Sequence, residues 1–98
     1  MAERRFEALN IPPDALEKGG VEILRASVVD GAVSVALRRA FDDPFTWGVL
    51  LMDLARHAAR VYAMETDISE EDAMAEISAG IQAELDDPSD PGSTQAIN

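Results

Sequence analysis

The chain contains no cysteine, one histidine, one tryptophan and one tyrosine among its 98 residues. Without cysteine there is no disulfide framework, no thiol nucleophile and no thiolate metal site. A single histidine, His57, cannot assemble the paired imidazoles that zinc sites commonly use. Lysine and arginine are absent after Arg60, whereas ten carboxylates follow it, from Glu65 to Asp90. The remaining nine acids and eight bases nearly cancel, so the net charge of −11 belongs to the C-terminal third. A surplus of that sign repels phosphate backbones and anionic lipid, which excludes nucleic acid and membrane surfaces as expected partners. Long apolar runs are also missing. The longest, Trp47 to Met52, is far short of the ~20 residues of a membrane helix. The first residues carry charge with no apolar stretch behind them, so no secretory signal is read. The expectation is a cytoplasmic protein.

What is present fits one small domain. A hydrophobic fraction of 47% is ordinary for a globular chain. Residues 1–85 carry the pattern of an α+β domain, and 86–98 read as a flexible acidic tail. A chain of this length buries only about 60–65% of its unfolded surface. Association would add to a core that is marginal alone.

The strongest local signal is Asp30-Gly31 between two β-prone runs, Val21–Val29 and Ala32–Arg39. A two-residue type I′ turn needs positive φ at both central positions, which Asp-Gly supplies. That turn pairs Val29 with Ala32, Val28 with Val33, Ala26 with Val35 and Leu24 with Leu37. It collects Leu24, Ala26, Val28, Val33, Val35 and Leu37 on one face, and sets Glu22 opposite Arg39. Upstream, Ile11-Pro12-Pro13-Asp14 is rigid, one helical turn over 14–18 is expected, and Gly19-Gly20 ends it. Residues 1–10 are weakly patterned, and strand and helical turn stay open there.

Asp43 and Pro44 open a long helix reaching about Glu65, as N-cap and first helical residue. Asp53, Arg56, His57 and Arg60 form a narrow polar stripe on it. Trp47, Leu50, Leu51, Leu54, Ala58, Val61 and Tyr62 fill much of the rest, so this helix needs cover on more than one side. Ser69 caps a second helix whose first turn holds Glu70, Glu71 and Asp72, favourable to its dipole. Met74, Ile77, Ile81 and Leu85 are its core stripe, and Asp87-Pro88 stops it.

Each candidate site has a plainer alternative. Asp53 and His57, one turn apart, have the order of a carboxylate orienting a general base. No motif places a nucleophile beside them, and an exposed i, i+4 pair is the expected reading. Arg38, Arg56, His57 and Arg60 are candidates for binding a small anion, since arginine forks pair with carboxylate or phosphate. The simpler expectation is that the arginines pair with the chain's own acids. Asp67 to Glu76 lacks the glycine-containing calcium-loop pattern, so no metal is expected, and no phosphate-binding glycine loop or cofactor motif is present. Trp47, Leu51 and Leu54 are interface candidates, tryptophan being enriched at binding hot spots, and Trp47 is equally read as plain core.

GGVEILRA (Gly19–Ala26), DPFTWGVLLMDLARHAARVYA (Asp43–Ala63) and SEEDAMAEI (Ser69–Ile77) resemble a family of short, uncharacterised proteobacterial proteins, a domain of unknown function. Trp47, Gly48, Asp53, Arg56 and His57 carry its most distinctive block. The resemblance covers residues 11–85 and implies a small bacterial protein, with no activity to transfer. The expected architecture is ββαα, a hairpin laying its apolar face on the long helix and the acidic helix. Its open edges and the wide apolar helix face predict a homodimer. The leading functional expectation is a non-catalytic interaction or regulatory module, with a basic protein as a further partner. An anion binder and an enzyme built on Asp53 and His57 are the alternatives.

Overall fold

The Asp-Gly turn forms as its chemistry requires. In a computed structural model describing residues 5–97, Asp30 has φ 51° and Gly31 φ 80°. Strand β1 (Leu24–Val29) pairs antiparallel with β2 (Ala32–Leu37) in the expected register, from Leu24 opposite Leu37 to Val29 opposite Ala32. Glu22 does not reach across to Arg39. Its carboxylate takes the nearer Arg25 at 3.1 Å, while Arg38 Nε donates to the Glu22 carbonyl at 3.0 Å. Helix α1 (Pro13–Lys18) precedes the hairpin and stops at Gly19, φ 78°. Residues 5–10 form no helix or strand, although Phe6 lies under the Arg25 guanidinium at 5.6 Å. Residues 1–4, the start of that weakly patterned segment, lie outside the described residues.

Helix α2 (Pro44–Glu65) begins at Asp43, whose carboxylate accepts the Phe45 N–H at 3.0 Å. Helix α3 (Glu70–Asp86) begins at Ser69, whose hydroxyl accepts the Asp72 N–H at 3.0 Å. The two helices meet through small residues. Ala55, Ala59 and Ala73 are the buried hydrophobics among the described residues, and Ala59 is fully enclosed. Alanine lets backbones approach closely but buries little apolar area.

The C-terminal segment differs from the flexible tail expected from 86 onward. Ser93–Ala96 form β3, parallel to β2, giving sheet order β1-β2-β3. The Asp90 carboxylate accepts the Gly92 N–H at 2.9 Å, and Gly92 sits at φ 84°. A Cβ there would lie 1.9 Å from the Val33 carbonyl oxygen, so only glycine allows the turn to press on β2. Ser34 is paired with Ser93 and Leu37 with Ala96, and the Ile97 N–H extends the ladder to the Leu37 carbonyl at 2.9 Å.

The fold class is α+β, and the expected β-β-α-α order is contained in α1-β1-β2-α2-α3-β3. The expected packing of hairpin on helices is corrected, because no strand of the sheet packs against α2 or α3. The connection explains this. Between Arg38 and Asp43 the chain bends with Ala40 at φ 62°. The Trp47 indole N–H donates to the Arg39 carbonyl, and Phe41 meets the Trp47 ring edge-on at 5.8 Å. This elbow pins the start of α2 and directs the helices away from their own sheet. The hairpin's apolar face is open at its turn end, with Val28 78% and Val33 45% exposed, and Leu24, Val35 and Leu37 are half-buried. The radius of gyration is 15.7 Å, against about 13 Å for a compact chain of this length.

Candidate functional site

Helix α2 displays two surfaces because its 3.6-residue period separates its polar and apolar positions. On the polar stripe, Arg56 Nη1 lies 3.4 Å from the Asp53 carboxylate, and Arg60 Nε lies 3.9 Å from Glu70 on α3. All four side chains are more than half exposed, which limits each pair to about 0–1 kcal/mol. Asp53 is turned to Arg56, and His57 has no hydrogen bond or ion pair among the described residues. Arg38 stands at the end of β2 and points to the Glu22 carbonyl. The four candidate anion ligands are therefore divided between two bodies. Arg56, His57 and Arg60 share one helix, and Arg38 belongs to a sheet that does not pack on it.

The apolar surface is more continuous. Trp47, Leu51, Leu54, Ala58 and Val61 repeat at alternating spacings of four and three, a heptad-like seam along one side of α2. Leu51 is 54% exposed and Val61 47%. Trp47 belongs partly to the elbow, through its bond to Arg39 and its contact with Phe41. Next to the seam, Tyr62, Ile68, Ala73, Glu76 and Ile77 line an open hollow of about 340 Å³ between the helices. The sheet's uncovered face forms a second apolar surface in the same chain. The alternation marking it is legible in the sequence, where it reads as core.

Chemically, these surfaces suit association. Among the described residues no three His, Cys, Asp or Glu side chains converge as a metal cluster, and no helix is long and apolar enough to cross a membrane. A lowered carboxylate titration lies at the end of α3. There Glu84 accepts the Ser89 hydroxyl and the Ser89 N–H, which hold its pKa below the usual glutamate range. That contact shapes the turn into β3.

A family model, Domain of unknown function (DUF5076), matches residues 8–89, close to the 11–85 span of the sequence resemblance. A solved structure from the photosynthetic bacterium Rhodopseudomonas palustrus CGA009, described as a "putative pyruvate dehydrogenase", is 44% identical. The match covers 90% of this chain and 93% of that one, with a TM-score of 0.69. No curated protein matches the chain.

Proposed function

We propose that this chain, which belongs to the family Domain of unknown function (DUF5076), acts as a homodimeric, non-catalytic interaction or regulatory module. The observation that carries this reading is surface. The chain has an accessible area of 8702 Å², whereas a compact 10.6 kDa monomer has about 5,500 Å². Among the described residues no large side chain is fully buried. Leu51, Leu54, Val61, Val28 and Val33 all lie open to water. Removing apolar surface from water is the main favourable term in folding, about 25 cal/mol per Å², so a chain this open gains most from a partner.

The absence of catalysis in this proposal rests on the polar stripe, where Asp53 turns to Arg56 and His57 stands alone. The activity named for the Rhodopseudomonas relative is that protein's, and this arrangement lends it no support here. Once the apolar faces are covered, the carboxylates of residues 65–90 remain as the charged surface and steer a basic protein toward it. Such binding weakens as salt rises. The lack of cysteine fits a reducing compartment, and we place the protein in the cytoplasm.

Size-exclusion chromatography with light scattering, over a wide concentration range, tests the assembly. A mass of twice 10.6 kDa that persists on dilution is expected. A strictly monomeric mass at every concentration overturns the proposal.

A further inference from the structure

We infer that the α2–α3 hairpin of each chain lies on the sheet of a second copy, so that the dimer is built by reciprocal exchange of helical arms. This rests on the homodimer reading and goes further, naming the two surfaces that meet. Three observations converge on it.

The first is topological. Parallel neighbours such as β2 and β3 are normally joined by a crossover whose helix packs back onto the sheet. Here the crossover is α2 and α3, and neither touches the sheet they connect. The second is the elbow. Ala40 at φ 62°, the bond from the Trp47 indole to the Arg39 carbonyl and the Phe41–Trp47 contact hold the helices outward. A chain meant to cover its own sheet would have no use for that brace. The third is fit. The six-residue strands are about 20 Å long, and the seam from Trp47 to Val61 is also about 20 Å long. Two helices side by side are about 18–20 Å wide, enough to span three strands about 10 Å apart from edge to edge. An obligate interface removes about 1,000–2,500 Å² from each partner, and the open surface here exceeds that of a compact monomer by about 3,000 Å².

The cysteine-free chain allows a clean test. Ala26→Cys marks the apolar face of β1, and Ala58→Cys marks the centre of the α2 seam. Both positions are exposed and small. Each single variant, the co-refolded mixture and the double variant are treated with a short bismaleimide, and the mass of the untreated wild type is taken by light scattering. Arm exchange predicts a covalent dimer in the mixture, little product from either single variant, and a covalent dimer from the double variant. A double variant linked only within one chain overturns the exchange. So does a dimer by mass in which Ala58→Cys links to itself and Ala26→Cys stays inert, although the homodimer then stands. No link in any combination, with a dimer by mass, also overturns the exchange alone. A monomeric wild type overturns both. If either alanine variant fails to fold, Val35→Cys with Leu54→Cys reports on the same two faces.

Discussion

Glu84 shows how one side chain can shape the turn that follows its helix. Its carboxylate accepts first the Ser89 hydroxyl and then the Ser89 N–H. Both bonds favour the charged form, so the folded pKa lies below the unfolded one. The sign follows from linkage. The contact contributes in full above the ordinary glutamate range and is lost as pH falls through the lowered folded value. Proton NMR titration is expected to give Glu84 a pKa below the ordinary glutamate value. The protection of the Ser89 amide against exchange, relative to its intrinsic rate at each pH, should fall at the acid end while that within β1 and β2 persists. Glu84→Gln, which keeps an acceptor but loses the charge, should remove the pH dependence at Ser89. If Glu84 titrates at the ordinary glutamate value, the turn is not held by this contact.

The elements divide by how local their causes are. The hairpin was legible down to each paired residue because the Asp30-Gly31 turn and the alternation in both strands point to one register. Both long helices were legible from their caps, Asp43 with Pro44 and Ser69 with Asp72. Strand β3 was not. Ser-Thr-Gln-Ala has no apolar alternation, and the edge it pairs with lies some sixty residues upstream, so a window along the chain reads the segment as tail. Its real signature is Asp90-Pro91-Gly92, a turn whose glycine is demanded by the Val33 carbonyl and not by local conformation alone. Gly92→Ala should therefore detach β3 and leave β1, β2 and the helices intact. Amide exchange would show this as lost protection at Gln95 and Ile97, with Arg38 still protected through its bond to the Ile23 carbonyl. Unchanged protection at Ile97 would mean that β3 tolerates a Cβ where the backbone leaves it no room. At the candidate site the sequence showed which faces of α2 are polar and apolar. It did not show that Arg38 would be separated from Arg56, His57 and Arg60, because that depends on the elbow at 38–43.

At the scale of the whole molecule, covering and stability become one question. The buried positions of the helical pair are alanines, with Met52, Met74 and Ile77 only half-buried, so little area is buried there. Those holding the sheet together are mostly backbone hydrogen bonds, each worth about 0.5–1.5 kcal/mol net. Neither body contains the large enclosed side chains that stabilise a domain of this size, and the two bodies do not support each other across an interface. If the missing burial lies between copies, unfolding and dissociation are a single step, and stability depends on protein concentration. A tenfold dilution then lowers the stability of the dimer by about 1.4 kcal/mol. For an assembly of about 200 residues that corresponds to a fall in Tm of about 3–6 °C. Differential scanning calorimetry across two decades of concentration should show a monotonic shift of that size in each decade, in a single transition. A Tm that does not move with concentration would place the stabilising contacts within one chain, and the open faces of α2 and the sheet would then have to close on each other in solution. Leu54→Glu separates the two cases further. In a dimer it should abolish both the twofold mass and the cooperative transition, since a buried unpaired carboxylate costs more than the interface can recover. On an uncovered surface it should change stability by less than about 0.5 kcal/mol.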